Sequence, residues 1–228
     1  MNDKWMVVAL AAVSAVVVLA LPSTVSAGEF VATCSGGGTC AGTVQGTANA
    51  VLEDDSGGAA GRVTCTTTTG TVSQPNNSST NTVNLTFHGC TSNGFSCIGS
   101  SPAGGTSGTI KTNTLTGHNV RLVHGAKEPV GILLTGINVT YTCAGGLVKK
   151  TLTGNVIGQT EGCSSAKSQH SVIFQSFGEV QQWRQITTTG TIFGLLVNND
   201  AGGEYTETAF IHALDITWDT GKTVTLDC

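Results

Sequence analysis

Histidines and carboxylates are the groups through which this chain could do acid–base work, and His124, His170, Glu179 and Asp200 are the candidates for a shared pocket. Nucleophile motifs are near misses. Gly94-Phe95-Ser96-Cys97-Ile98 and Gly99-Ser100-Ser101-Pro102-Ala103 both lack the closing glycine of the G-x-S-x-G elbow. Ser164-Ser165-Ala166-Lys167 matches S-x-x-K, but that motif needs a helix to bring the lysine to the serine. This one follows Cys163 in a predicted loop, without S-D-N or K-T-G partners. Gly221-Lys222-Thr223 lacks the glycine-rich loop that would cradle a phosphate.

Metal chemistry fares no better. His88 stands two residues before Cys90, yet no Cys-x-x-Cys pair exists to build a zinc site. Glu53-Asp54-Asp55 and the pair Asp200 and Glu204 lie beside glycines, where solvated turns explain them more simply than calcium does. The residues therefore predict no catalytic group, no metal ligand and no cofactor.

The elements that would position any site are strands. Charged residues make up 11% of the chain, too few for a disordered solvated segment. Thr and Val favour strands, and frequent Gly and Asn punctuate them. A net charge of −4 offers no basic footprint, which excludes nucleic acid as an expected partner. Residues 1–27 read as a cleavable secretory leader. Lys4 precedes the apolar run Met6–Leu21, then come Pro22 and the small-x-small signal Val25-Ser26-Ala27, with Gly28 beginning the expected mature chain. That predicts a secreted protein with no integral membrane anchor after cleavage. All eight cysteines (34, 40, 65, 90, 97, 143, 163 and 228) follow the leader, and an even count in an exported chain predicts four disulfides.

Residues 28–228 read as one domain: an all-β, disulfide-stabilised antiparallel β-sandwich. Val83, Leu85 and Phe87 alternate with Asn84, Thr86 and His88. Ile137, Val139, Tyr141 and Cys143 share a face, Gly136 marks a bulge or kink, and Gly145-Gly146 turns the chain into an antiparallel return over Leu147–Ile157. Phe210, His212, Leu214, Ile216 and Trp218 form the longest alternation. A turn at Asp219-Thr220-Gly221-Lys222 then predicts a hairpin, with Thr223–Cys228 as its second strand. His212, on an apolar face, is expected to be a hydrogen-bonded core histidine. Trp218 is expected in the core, while Trp183 is the candidate contact for an external ligand.

Two halves, about 60–120 and 130–228, echo each other. Val63-Thr64-Cys65 answers Tyr141-Thr142-Cys143, and Gly89-Cys90 answers Gly162-Cys163, which suggests an internal duplication.

Val63-Thr64-Cys65, Leu85–Cys90, Cys97, the run Gly108-x-Ile110-x-Thr112-Asn113-x-Leu115-x-Gly117, Thr142-Cys143-Ala144-Gly145 and Gly154-x-Val156-Ile157-Gly158 together resemble an uncharacterised group of secreted bacterial proteins. These are β-rich, disulfide-containing proteins of soil actinobacteria. The resemblance spans about Val63 to Phe177 and implies export and fold class, with no activity. If four cysteines form the shared core, it implies Cys90–Cys97 as a local loop and Cys65–Cys143 between the echoing strands. Cys34–Cys40 and Cys163–Cys228 would then pair among the extras. The competing set is Cys65–Cys90 with Cys143–Cys163, leaving Cys97 for Cys228.

The functional expectation is a secreted, non-enzymatic protein with a structural or binding role toward an extracellular ligand or protein surface. The alternative is a secreted glycoside or ester hydrolase with an unrecognised carboxylate or histidine site.

Overall fold

The computed structural model describes residues 28–54, 62–101, 105–122, 130–161, 163–177, 180–181, 195–199 and 206–228. The expected leader (1–27) lies outside this set. The chain is nearly all strand. In order these are β1 (Val31–Cys34), β2 (Thr39–Gly46), β3 (Ala50–Asp54), β4 (Arg62–Cys65), β5 (Thr67–Pro75) and β6 (Thr80–His88). Then come β7 (Thr91–Ser92), β8 (Phe95–Ser101), β9 (Thr109–Lys111), β10 (Leu115–Arg121), β11 (Val130–Cys143) and β12 (Val148–Thr160). The last are β13 (Gln169–Phe174), β14 (Ser176–Phe177), β15 (Val180–Gln181), β16 (Leu195–Asn199), β17 (Thr206–Trp218) and β18 (Val224–Asp227). One 3₁₀ turn, Ala144–Gly146, joins β11 to β12 around the predicted glycine pair.

The fold is the expected antiparallel, disulfide-bonded β-sandwich, and its two layers are joined at both edges. Stepping between hydrogen-bonded neighbours from β17 through β2, β5, β6, β10, β11, β12 and β13 leads back to β17. A second circuit, nearer the other end, runs from β17 through β3, β4, β7, β8, β11, β12 and β16. The long strands β11, β12 and β17 serve both. A closed ladder leaves no row of unpaired backbone groups on the strands that form it.

Alternation decides which side chains enter. On β17, Phe210, His212, Leu214, Ile216 and Trp218 are all buried. On β11 the inward set changes parity. Val130 and Leu134 are buried before Gly136, and Val139, Tyr141 and Cys143 after it. The register against β12 shifts between Leu134 and Ile137, and Gly136 has φ 77°. This is the bulge read from the sequence: one extra residue moves the inward face from even to odd positions. Glycine suits it because its backbone enters the left-handed region without steric cost.

One expected hairpin is redirected. The turn forms, with the Lys222 amide donating to the Asp219 carbonyl at 2.8 Å, but β18 pairs with β1 rather than with β17. Both edges of β17 are already taken, by β2 and β3 on one side and by β13 and β16 on the other. The β1–β18 ribbon instead lies across one end of the closed sheet. It is held by backbone bridges from Ala32 to Ser78 and from Val224 to Lys167, and its Ala32, Cys34, Val224 and Leu226 side chains are buried.

The disulfides follow the ladder. Cys34–Cys40 ties the ribbon to β2, and Cys163–Cys228 ties its far end to the segment after β12. The other two expected bonds, Cys90–Cys97 and Cys65–Cys143, are replaced by Cys65–Cys90 and Cys97–Cys143. Register is the reason. Cys143 stands directly opposite Cys97 in the β11–β8 pairing, and Thr64 opposite Thr91 places Cys65 against Cys90. The echoing cysteines thus pin opposite sides of one small hairpin, β7–β8, instead of each other. Non-reducing peptide mapping is expected to recover 65–90 and 97–143 links. A 65–143 link would refute this pairing.

Candidate functional site: an apolar cavity inside the closed sheet

The core concentrates where strands from both layers face each other, and there it is incompletely filled. A cavity with an enclosed volume of about 50 Å³ lies between β3, β4, β6, β9, β10, β11, β12 and β17. Its enclosed part is narrow. Leu52, Val63, Leu85, Leu134, Leu152 and Val156 are among its walls. Phe87 and Phe210 close one side as an edge-to-face pair with ring centroids 5.9 Å apart. That is below the roughly 300–1,000 Å³ of typical small-molecule sites, which leaves room for a small, slender guest only.

Fourteen of the fifteen lining residues are apolar, and the fifteenth is Thr112. Its hydroxyl is committed to the neighbouring strand: the Leu85 amide donates to Thr112 Oγ1 at 3.0 Å, and Thr112 Oγ1 faces the Leu85 carbonyl at 3.4 Å. Cys65 lines the cavity with its sulfur already in a disulfide. None of the lining residues is ionisable.

Behind the aromatic wall lies His212, 2% exposed, with its ring 5.6 Å from Phe210 and 6.2 Å from Phe87. Neither ring nitrogen is paired with a side chain, nor is Thr68 Oγ1 nearby. The sequence led us to expect a hydrogen-bonded core histidine. Burial is as expected, and the polar group that acts on the ring is the Asn49 backbone rather than a side chain. Burial lowers the His212 pKa to about 4, opposed weakly by the Asn49 backbone. The ring is therefore neutral at pH 7.

At the ribbon-covered end, a smaller cavity is edged by Gln74, Asn81, Asn119, His170 and Trp218. The Gln74 amide organises this cluster. Its Nε2 donates to the Pro75 and Ser78 carbonyls at 2.9 and 3.0 Å, and its Oε1 accepts from Asn81 and Asn119 at 3.3 and 3.4 Å. His170 Nε2 donates to the Val224 carbonyl of the ribbon at 3.1 Å. Burial is the main cause that lowers the His170 pKa. This histidine is a structural fastener of the ribbon rather than an exposed acid or base. Trp218 is in the core, as expected.

His124, Glu179, Asp200 and Trp183 lie outside the described residues, so only His170 of the hydrolase set is placed. Ser164 and Lys167 lie beside β18, their backbone amides donating to the Leu226 and Val224 carbonyls, with Ser164 in the left-handed region at φ 65°. The Lys167 ammonium pairs with Glu161 at 3.0 Å, not with Ser164. Among the described residues no three His, Cys, Asp or Glu side chains come together as a metal site, and no helix is long and apolar enough to cross a membrane. The apolar cavity had no sequence signal, because its residues come from eight strands spread from Ala50 to Phe210 and each looks like ordinary core.

Fold and site together define a class: an all-β, disulfide-bonded, closed antiparallel sandwich enclosing an apolar cavity. No protein-family model, curated protein or solved structure matches the chain.

Proposed function

We propose that this is an exported, non-enzymatic binding protein that holds a small extracellular ligand inside its closed sheet. The observation that carries the reading is the apolar cavity, since globular cores are normally packed to crystal density and even a void of about 50 Å³ forfeits contacts along its walls. A bound guest would restore them. Export is supported by the leader-like segment 1–27 and by four disulfides, which persist in oxidising compartments. The disulfides would hold the container shut and protect it outside the cell. The hydrolase alternative has less support, because the cavity walls carry no acid, base or nucleophile.

The test is fluorescence of 1-N-phenylnaphthylamine, a probe that brightens in apolar sites. It is expected to bind the wild-type protein and to be excluded by Ala50→Leu, which puts three extra carbons into the void from β3. That variant should unfold at the same temperature as wild type or higher, because it fills empty space. Equal probe binding by wild type and variant would place the probe elsewhere and remove the support for this reading.

A further inference from the structure

The chemistry of the walls says what kind of guest the cavity takes, and this inference rests on the binding reading above. We propose that the guest is a small hydrocarbon, a neutral chain or single ring whose enclosed part carries no hydroxyl, carbonyl or charged group.

Three observations lead there. The lining offers no spare hydrogen-bond donor or acceptor. The Thr112 hydroxyl is spent on the Leu85 backbone, as described above. Wall backbone groups on β3, β4, β11 and β12 are engaged in the ladder. The buried polar atoms on His212 and Thr68 are screened from the cavity. His212 stacks edge-on against Phe210 and tilts against Phe87, both of which line the cavity, while neither His212 nor Thr68 does. A polar group entering the cavity would lose its water and gain nothing, whereas a CH₂ or an aromatic edge gains dispersion contacts on all sides. Finally, the two phenylalanines present one ring edge to the other's face, and an aromatic guest can extend that arrangement.

This differs from the usual small-molecule pocket, in which a few placed polar groups fix orientation. Selection here would work by exclusion: shape admits the hydrocarbon, and the cost of desolvation rejects its oxidised relatives. The expected discrimination against an added hydroxyl is roughly tenfold or more, the effect of leaving one buried polar group unpaired.

The experiment uses the full wild-type protein with isoleucine, leucine and valine methyls labelled for NMR. It is titrated separately with n-propylbenzene, 3-phenylpropan-1-ol and 3-phenylpropanoate, three guests of one skeleton and rising polarity. Propylbenzene is expected to shift the methyls of Leu85, Leu134, Val139 and Leu152. The alcohol should shift the same methyls at concentrations at least tenfold higher, and the carboxylate should not shift them. An alcohol or carboxylate that binds as tightly as propylbenzene, through those same methyls, overturns the hydrocarbon assignment and leaves the binding reading standing. If none of the three moves these methyls, both fall. The Ala50→Leu protein, titrated in parallel, should lose the propylbenzene shifts. Shifts that persist in it and spare the lining methyls mark a surface site and overturn the assignment.

Discussion

Deleting the Cys97–Cys143 bridge in the double variant C97A/C143A is expected to lower the unfolding free energy by about 4 kcal/mol. Deleting Cys34–Cys40 as C34A/C40A should cost only about 2 kcal/mol. The contrast comes from loop length. The first bridge closes 46 residues and the second only 6, and in the chain-entropy account the longer loop removes more freedom from the unfolded state. Geometry points the same way. Cys97 and Cys143 face each other in the ladder at the join between β8 and β11, both fully buried. On its other side the β7–β8 hairpin meets β4 through a single described residue pair, Thr64 with Thr91, next to the Cys65–Cys90 bond. Without the 97–143 bond the closing seam at that end depends on few backbone hydrogen bonds. Urea denaturation of the two variants and wild type measures the difference. Equal losses for both would show that strain or unfolded-state structure, rather than loop closure, governs these bridges.

The second large effect is a pH dependence assigned to His212. In the unfolded chain its imidazole titrates near 6.5, and in the fold burial holds it down to about 4. Between those values the unfolded state binds the extra proton and the folded state does not, so protonation favours unfolding. The contribution of the neutral, buried ring is complete above pH 6.5 and is lost as the pH falls toward 4. The total is about 3 kcal/mol over that interval. Replacing the residue by leucine, of similar volume, removes both the titration and two buried nitrogens that no side chain satisfies. His212→Leu is therefore expected to equal or exceed wild type at pH 7, with the gap in its favour widening by about 3 kcal/mol at pH 4. Denaturant midpoints at the two pH values test it. Parallel curves would mean that His212 finds a partner in solution and titrates normally. His170, whose pKa burial also lowers, would account for slope that remains in the variant.

Local pattern made the strand content legible, because a half-buried strand must alternate, and β6, β13 and β17 do. It made the Gly136 bulge legible too, since a glycine interrupting a long apolar alternation is where an extra residue fits at least cost. Pairing was another matter. The hairpin read at Asp219–Lys222 is a sound local inference about a turn, but a turn does not choose the strand's neighbour. β18 went to β1 because β17 was full on both edges. The same limit misplaced two disulfides. Similarity between Val63-Thr64-Cys65 and Tyr141-Thr142-Cys143 suggested that the two cysteines meet, whereas a bond needs adjacent strands in matching register, and each found its partner on β7–β8 or beside it.

The sequence by itself determined that this is an all-β chain with paired cysteines, no basic surface and no recognisable catalytic motif. These are properties of composition and short-range alternation, which act within a few residues. Only the tertiary structure decided that the sandwich closes on itself, which cysteines bond, that no side chain satisfies His212 and that an apolar cavity lies against Phe87 and Phe210. Each of those depends on residues far apart in the chain meeting at van der Waals distance. The packing of eight strands leaves or fills a void through the sum of their side-chain volumes, and no single stretch of sequence carries that sum.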